Sequence, residues 1–420
     1  MHLCIFEDRQ VKNLHPLTYL NPVFELKCGC TTLREKIVSQ FPLKNVTLLT
    51  RAYLSEFVQE SFPSLSVNNL PADDTIFING RVLADKTLSR FIHRQNNKEF
   101  VAFHGTDIVA AFLKRKNVET FVRKTVQDEW SFHVSRSLPS LEINCTPVEY
   151  PWELVSNNAD EIEKDFLNIS RAKKKKAIAG KLYKGAHLLN RNNIIIGEGS
   201  VVKPGAVLDA EHGPIVIGKH VAIQPNAVIE GPAFVGDYST IKIGAKIYPG
   251  TSIGAHCKIG GEVTRSIIQS YSNKAHDGFV GDSYIGSWVN IGADTNTSNL
   301  KNTYGNVDVY INGTPVDSGA QFVGLTMGDH SKSGINAMFT TGAVAGVSCN
   351  IFGAGVPSKY LPSFSWGSPD SFTVFEIEKS IEIARRMMSR RGITMSKSYE
   401  AMMRHVFNLT RKERREWLKK

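Results

Sequence analysis

A branched aliphatic residue stands at every sixth position through a long central stretch of the chain. The run comprises Ile217, Ile223, Ile229, Val235, Ile241, Ile247, Ile253 and Ile259. A helix has a period of 3.6 residues and an ordinary strand has a period of two, so neither explains this spacing. A coil of three short straight segments does explain it, because each segment then points one aliphatic inward. Short repeats of this kind are typical of a solenoid.

The same spacing continues on both sides of this run. It recurs at Ile196, Val202, Leu208, Phe279, Ile285, Ile291, Met327, Ser333, Phe339, Ala345 and Ile351. Many of the aliphatics are followed by glycine, which we expect to supply the positive φ of a tight corner. A series of β-hairpins would instead alternate with period two and vary in turn length. The pattern resembles the left-handed parallel β-helix of hexapeptide-repeat acyltransferases.

The first 170 residues alternate between strand and helix signals, which predicts an α/β domain with a mainly parallel sheet. The predicted strands and helices are Leu3 to Phe6, Thr31 to Phe41, Val46 to Leu49, Tyr53 to Phe62 and Thr75 to Leu83. A helical stretch from Pro151 to Ile169 and the lysine run Lys173 to Lys176 then close this region. We expect an amino-terminal domain over 1–175, a solenoid over 176–366 and a helical tail over 367–420.

The sequence after the regular repeats predicts a loop and two helices. Lys301 to Gln321 breaks the register and is expected to project from a coil. Ser368-Pro369-Asp370 predicts a helix start, and Gly392 predicts its end. A second helix is expected from Ser398 to Leu409. The apolar face of these helices is expected to pack on the end of the solenoid.

Composition narrows the functional classes. The chain has 420 residues, of which 42% are hydrophobic, and six cysteines. We expect reduced thiols, no secretory signal, no membrane partner and a cytoplasmic location. The net charge of +10 would suit nucleic acid, solvated helix faces or anionic small molecules. Charge runs alone are weak evidence, so we expect no nucleic-acid partner.

The densest polar cluster in the solenoid contains Glu262, His276 and Asn290, each within three residues of a register aliphatic. A histidine that titrates near neutral pH is a suitable base for deprotonating an amine that attacks a thioester. The alternative is a surface histidine without a role. Its small and polar neighbours favour a catalytic histidine.

Three segments around this cluster carry a closer resemblance. They are Ser-Asn-Lys-Ala-His from Ser272, Val-Gly-Asp-Ser-Tyr-Ile-Gly from Val280, and Asn-Ile-Gly-Ala-Asp-Thr-Asn-Thr-Ser-Asn from Asn290. They resemble the acetyltransferase domain of the bifunctional glucosamine-1-phosphate acetyltransferase/UDP-N-acetylglucosamine pyrophosphorylase family, in the alternate branch found in Bacteroidetes-type bacteria. The family motif His-x-x-x-x-Gly followed by Asn-x-Gly-Ala begins at His276 and at Asn290.

The resemblance implies a role for each matching residue. His276 would be the general base that takes a proton from the glucosamine amine, with Asn290 binding or orienting substrate beside it. Glu262 matches a carboxylate that contacts the sugar. Arg265 or Lys246 would hold the sugar phosphate.

Ala293 and Asn299 would lie along the acetyl-CoA groove, where a backbone N–H would serve the thioester oxyanion. The sequence departs from the family pattern at three positions. Phe279 and Leu300 replace residues with aromatic hydroxyls, and a lysine on the sugar side falls on Thr264. These departures leave the acceptor sugar and the acyl donor open.

The amino-terminal region resembles sugar-1-phosphate nucleotidyltransferases through Pro16-Leu17-Thr18 and the residues that follow. The Gly-rich loop that cradles a triphosphate is missing, and Phe6 to Gln10 stands in its place. Arg9 and Lys27 would then carry more of the phosphate charge. Asp85, close after a predicted strand, would help to bind Mg²⁺.

The leading hypothesis is a bifunctional enzyme that makes UDP-N-acetylglucosamine from acetyl-CoA, glucosamine-1-phosphate and UTP. Family resemblance implies a homotrimer with the acetyl site shared between subunits. One alternative is a single-activity nucleotidyltransferase or acyltransferase for another sugar. Another is a non-catalytic scaffold, because the same two-domain plan serves such proteins.

Overall fold

The amino-terminal sheet has seven strands and is mainly parallel, as the sequence predicts. The computed structural model describes residues 1–124, 130–172 and 177–419. Across the sheet the strands are ordered Ser140–Glu142, Phe100–His104, Asp107–Leu113, Thr75–Asn79, His2–Phe6, Val46–Leu49 and Ser66–Val67. Only Asp107–Leu113 pairs antiparallel with its neighbours. The predicted lysine run Lys173 to Lys176 lies outside the described residues.

Helices and short hairpins surround this sheet. The α-helices are Leu33–Gln40, Ser55–Ser61, Lys86–Arg94, Arg115–Phe121, Pro151–Ser156 and Asn158–Ala172, and the 3-10 helices are Arg9–Leu14, Val23–Glu25 and Ala52–Leu54. Lys27–Cys28 pairs with Thr31–Thr32, and Val122–Lys124 pairs with Trp130–Phe132. A capping box defines one helix start, because Thr32 and Glu35 exchange hydrogen bonds between side chain and backbone.

The second half of the chain is a left-handed parallel β-helix with three faces. The first face contains Lys181–Leu182, Val201–Val202, Ala222–Ile223, Thr240–Ile241, Lys258–Ile259 and Asn273–Lys274. The second face contains His187–Leu189, Val207–Asp209, Val228–Glu230, Lys246–Ile247, Glu262–Thr264 and Phe279–Gly281. The third face contains Ile194–Ile196, Ile215–Ile217, Ala233–Val235, Thr251–Ile253, Ile267–Ile268, Tyr284–Ile285, Thr326–Met327, Val344–Ala345 and Tyr360–Leu361.

All eight aliphatics of the central hexad run are buried in one core inside the coils. The predicted hexad register is wrong at Phe279, which points outward, because Val280 takes the buried position. The register shifts because the coils are shorter here than in the regular repeats, as the pairing of Ile253 with Ile268 shows. None of the helices in the described part of the chain combines the length and apolar character that a membrane crossing requires.

The glycines that follow the inward aliphatics allow neighbouring coils to pack closely. They do not supply the positive φ of the corner, contrary to the expectation from the sequence. The left-handed residue comes two positions later, as at His220 with φ of 55°. A Cβ on Gly218 would lie only 2.2 Å from Asp237 Oδ1 and 2.8 Å from its backbone nitrogen. The neighbouring coil therefore leaves no room for a side chain.

We expect Gly218→Ala to destabilise the protein by about 1–3 kcal/mol, the usual cost of overpacking a tight contact. Gly305→Ala is the matched control, because its nearest neighbour, Thr303 Oγ1, would be 4.0 Å from the new Cβ. Urea unfolding of both variants measures the difference. Equal midpoints for the two variants would contradict the packing explanation.

The segment predicted as a projecting loop, Lys301 to Gln321, contains an antiparallel hairpin, Asp308–Ile311 with Thr314–Asp317. Its buried valines and isoleucine pack with Val344 of the β-helix and with Tyr150 and Trp152 of the amino-terminal domain. Because the loop has apolar residues on one hairpin face, it docks between the domains.

The predicted helix start at Ser368-Pro369-Asp370 is wrong. These residues belong to a strand, Ser365–Ser368, and to the turn after it. The strand pairs with Asn350–Ile351, which in turn pairs with Lys332–Ser333. The chain then turns back as the antiparallel strand Ser371–Val374. Proline and aspartate favour turns as well as helix starts, so the motif was ambiguous. A further strand pair joins Asn296–Thr297 to Met338–Phe339.

Three helices form the tail: Ile377–Ser389, Lys397–Leu409 and Arg411–Trp417. The first two helices share one buried cluster with the amino-terminal domain and with Trp288, Val347 and Phe364 of the β-helix. The Tyr399 hydroxyl lies 2.7 Å from His330 Nε2. The tail therefore packs on the β-helix, as expected, and also on the amino-terminal domain.

The two domains also meet directly through buried hydrogen bonds. The Tyr284 hydroxyl lies 2.9 Å from the backbone nitrogen of Lys27 and 3.0 Å from its carbonyl oxygen. Asn158 Nδ2 donates to the carbonyl of Gly250 over 2.8 Å, and Ser252 Oγ donates to the carbonyl of Gly29 over 2.8 Å. These satisfied buried groups fix the orientation of the domains.

Candidate functional site

His276 lies on an exposed turn at the corner between the first and second faces of the β-helix. The turn follows Lys274, which takes the inward position that Ile259 occupies on the preceding coil. The Lys274 ammonium is buried and donates to the carbonyl of His276 over 2.9 Å and to that of Gly260 over 3.0 Å. This lysine holds the histidine turn against the preceding coil.

Burial lowers the pKa of Lys274 to about 8, although the carboxylates of Asp277, Asp294 and Glu262 act in the opposite direction. The site thus contains a buried amine that titrates much closer to neutral pH than an ordinary lysine does. Sequence reasoning missed Lys274. The available signal was a lysine at a position where neighbouring coils have isoleucine.

We expect Lys274→Met to change how stability depends on pH. The folded pKa lies below the unfolded value, so between about pH 8 and 10.5 the unfolded chain binds more protons and wild-type stability rises with pH. Below that window the cost of burying the charge is constant. The variant should lack this rise, which amounts to about 1.4 kcal/mol per pH unit within the window.

Urea unfolding of wild type and variant across this range gives the difference directly. Lys258→Met, at an exposed position on the same face, is the control and should keep the wild-type slope. Parallel curves for wild type and Lys274→Met would show that Lys274 has an ordinary pKa.

Glu262 lies beside the histidine turn, because its backbone nitrogen donates to the carbonyl of Gly278 over 3.1 Å. Along the second face, Lys246, Glu262 and Phe279 are successive register partners on neighbouring coils. Glu262, predicted to contact the sugar, and Lys246, predicted as a candidate for the sugar phosphate, thus share one row next to the corner that presents His276.

The turn that contains Ala293 stacks on the histidine turn, since the Asp294 nitrogen donates to the Asp277 carbonyl over 3.0 Å. Asn290 is exposed on the first face, where it bridges Asn273 and Lys332 of the adjacent coils. The structure therefore brings His276, Glu262 and Ala293 to one corner and places Asn290 on the adjoining face.

Arg265 and Asn299 meet at a common carboxylate, Asp282. The guanidinium of Arg265 contacts Asp282 at 2.7 Å and 3.0 Å, and Asn299 Nδ2 donates to Asp282 Oδ2 over 2.6 Å. The hydrogen bond to Asp282 raises the pKa of Arg265. Half of the Arg265 side chain is exposed, so it still presents charge to solvent. Asp282 was not among the predicted site residues. The only signal in the sequence was its position directly after Val280-Gly281, within a segment that resembles the family.

The carboxyl-end edge of the amino-terminal sheet, where α/β proteins bind ligands, is filled by ion pairs. Glu7 contacts Arg51 with both oxygens, at 3.0 Å and 3.1 Å. Asp8 lies 2.6 Å from Arg81, which also contacts Asp107 at 2.7 Å. Glu7 and Asp8, which stand in place of the Gly-rich loop, thus neutralise Arg51 and Arg81 at the ends of their strands.

The three predicted nucleotide-site residues do not come together. Arg9 is exposed at the start of its 3-10 helix. Lys27 faces the β-helix, where its ammonium donates to the Cys30 carbonyl over 3.1 Å and lies 5.1 Å from the Phe234 ring centroid.

Asp85 caps the helix Lys86–Arg94, because Oδ1 accepts hydrogen bonds from the backbone nitrogens of Thr87 and Leu88. Within residues 1–124, 130–172 and 177–419, no cluster of three His, Cys, Asp or Glu residues could hold a metal ion. Asp85 thus serves as a helix cap, and its part in a Mg²⁺ site stays a prediction, because Mg²⁺ in nucleotide sites is held by one or two carboxylates together with substrate phosphates.

The six cysteines are free, and five of them are buried. Burial raises the pKa of Cys257 to about 12 and that of Cys349 to about 11. These thiols are therefore protonated core residues at neutral pH, which agrees with the expectation of reduced cysteines.

Comparison with known proteins confirms the predicted family resemblance. Residues 3–174 match a family described as sugar nucleotidyl transferase. The bifunctional protein GlmU of Methanococcus maripaludis is 32% identical over 202 residues, covering 47% of this chain and 41% of the relative. GlmU of Rippkaea orientalis is 31% identical over 139 residues, covering 32% and 28%. The chain thus spans less than half the length of these relatives, and the description of the matching family agrees with the expected transferase class.

Solved structures of acyltransferases also match the chain. The UDP-N-acetylglucosamine acyltransferase from Campylobacter jejuni is 13% identical, covers 54% of this chain and 94% of its own, and has a TM-score of 0.23. The acetyltransferase domain of PglB from Neisseria gonorrhoeae FA1090 is 19% identical, covers 38% and 71%, and has a TM-score of 0.21. Both TM-scores are below 0.5, so the β-helix assignment depends on the strand register of this chain.

Proposed function

We propose that the protein is a bifunctional transferase of sugar nucleotide synthesis. The β-helix transfers the acetyl group of acetyl-CoA to glucosamine-1-phosphate, and the amino-terminal domain uridylylates the product with UTP. The observation that carries the proposal is the corner that gathers His276, Glu262 and the Ala293 turn. We assign the protein to the cytoplasm as a homotrimer, with small molecules as its partners.

The proposed acetyl transfer uses His276 as general base. The imidazole accepts a proton from the glucosamine amine as the amine nitrogen attacks the thioester carbonyl. The tetrahedral intermediate then expels the coenzyme A thiolate, which takes up the proton, and the amide remains on the sugar. A backbone N–H near Ala293 stabilises the oxyanion. Glu262 binds a sugar hydroxyl.

The sugar phosphate is assigned to Arg265, with Lys246 as the second cation. Asp282 fixes the Arg265 guanidinium through two contacts and also holds the amide of Asn299. We propose that Asp282 links the phosphate side to the coenzyme side of the site, where Asn299 borders the acyl donor and Asn290 the acceptor. A fixed arginine loses less side-chain entropy when it binds a phosphate.

A second candidate is an acyltransferase without uridylyl transfer. The ion pairs Glu7–Arg51 and Asp8–Arg81–Asp107 favour it, because they neutralise the arginines at the strand ends. A triphosphate there would have to displace the chain's own carboxylates, which costs the energy of the pairs.

Two parallel assays separate these candidates. One supplies acetyl-CoA with glucosamine-1-phosphate and follows free thiol, and the other supplies UTP, Mg²⁺ and N-acetylglucosamine-1-phosphate and follows pyrophosphate. Release of both products is expected for the bifunctional enzyme. Thiol without pyrophosphate would support the single-activity candidate, and no thiol would exclude acetyl transfer to this sugar.

A further inference from the structure

A cavity of about 1160 Å³ lies where the amino-terminal domain, the inserted hairpin and the tail meet. None of the residues assigned above to acetyl transfer lines it. Its walls come from 12–19 and 51–53 of the amino-terminal domain, 310–314 and 358–360 of the β-helix domain, and 405–417 of the tail. The volume is ample for a ligand the size of a nucleotide. Three separate parts of the chain therefore build one concave site.

Aromatic rings line this junction cavity in pairs drawn from different segments. Tyr53 stacks on His405 with centroids 4.3 Å apart and planes 10° apart, and Tyr310 stacks on Tyr360 at 5.7 Å. Trp417 adds a further ring. Flat aromatic surfaces of this kind can stack on the π-face of any nucleobase, whatever hydrogen-bonding groups its edge carries.

Hydrogen bonds hold the walls in place. The Tyr53 hydroxyl donates to the Tyr19 carbonyl over 2.9 Å and accepts from Arg51 over 2.9 Å. His15 Nδ1 lies 3.0 Å from Asn312 Oδ1, which joins the amino-terminal domain to the hairpin. A site whose walls are already positioned binds a ligand with a smaller loss of entropy.

Cations outnumber carboxylates along the junction cavity. Lys12, Arg51, Lys359 and Lys412 line it, together with the half-buried carboxyl of Glu413, which contacts the Tyr360 hydroxyl, and the carboxyl of Glu416, which lies 3.9 Å from the Lys412 ammonium. Burial raises the pKa of Glu413 to about 7, so this carboxyl is partly protonated at neutral pH and offsets the lysines less. Burial also lowers the pKa of Lys359.

We propose that this junction cavity binds a nucleoside phosphate, with the base against the aromatic walls and the phosphates toward Lys359 and Lys412. The site is distinct from the acetyl-transfer corner, and it adjoins the strand-end edge at Arg51, whose guanidinium is paired with Glu7. Because the tail supplies one wall, nucleotide binding there stabilises the docking of the tail on both domains.

Calorimetric titration of the full-length protein tests the proposal with UTP, UDP-N-acetylglucosamine, coenzyme A and inorganic pyrophosphate. We expect at least one of the three nucleotides to bind more tightly than pyrophosphate. Lys359→Ala should weaken nucleotide binding about tenfold or more, because a phosphate contact is lost. Ser358→Trp should weaken nucleotide binding to a similar extent, because the new ring blocks the rim of the cavity. Lys258→Ala, an exposed lysine elsewhere on the β-helix, should leave the Kd unchanged.

Two results would overturn the proposal. One is the absence of nucleotide binding, and the other is binding that neither pocket variant weakens. Pyrophosphate binding as tightly as every nucleotide would remove the role of the aromatic walls and would count against it as well. These readouts are binding constants, so they do not depend on whether the protein turns over acetyl-CoA. Ser358→Trp should unfold in urea at the wild-type midpoint, which shows independently of any activity that this variant is folded.

Discussion

We expect His276→Ala to reduce thiol release from acetyl-CoA by about 10²–10⁴-fold, the usual contribution of a positioned general base. Without the imidazole no positioned group takes the proton that the amine nitrogen must lose as it attacks the thioester, so amide formation is slow. His276 is exposed on its turn, and its side chain supports no core contact, so the variant should fold normally. Thiol release measured at saturating substrates reports the loss in kcat.

The matched control is His212→Ala, which removes another exposed histidine from the β-helix. It should leave thiol release unchanged. Pyrophosphate release from UTP should be unaffected by either variant, because we assign that proposed reaction to the amino-terminal domain. Retention of full thiol release in His276→Ala would mean that another group deprotonates the amine.

We expect Lys36→Met to cost about 3–5 kcal/mol of unfolding free energy, the range for breaking a buried ion pair from one side. The Lys36 ammonium lies 2.8 Å from both Asp165 and Glu161, and all three side chains are less than 10% exposed. Its removal leaves two neighbouring carboxylates buried without a cation. Asp165 Oδ2 also accepts from the Cys30 nitrogen over 2.8 Å, so the effect extends to the domain interface.

Urea unfolding at neutral pH measures this cost. Lys44→Met, which changes an exposed lysine of the same domain, serves as the control and should shift stability by less than about 0.5 kcal/mol. If Lys36→Met unfolded within that same margin of wild type, the three charges would not be coupled as the structure places them.

The hexad pattern made the β-helix predictable, because burial of one aliphatic per segment is a local and repeated requirement. The prediction failed where repetition stopped. Phe279 falls out of register after two shortened coils, and the segment from Lys301 to Gln321 forms a hairpin whose core depends on Tyr150 and Trp152. Neither outcome follows from local pattern, since each depends on contacts with distant residues.

Some features of the candidate site could likewise be predicted from the sequence, and others could not. The turn position of His276 was predicted from its distance to Phe279, and His276 does lie on a turn although Phe279 itself points outward. The Asp282 carboxylate that joins Arg265 to Asn299 could not be predicted, because it depends on how three coils stack. The pairing of Glu7 with Arg51 likewise depends on two parallel strands being neighbours.

Product identification tests the central claim most directly. The purified protein is incubated with isotope-labelled acetyl-CoA and glucosamine-1-phosphate, and the sugar phosphate is then examined by mass spectrometry. The account predicts N-acetylglucosamine-1-phosphate with the label on the amine nitrogen, and its loss in His276→Ala. Unlabelled glucosamine-1-phosphate recovered unchanged from the wild-type reaction would contradict it.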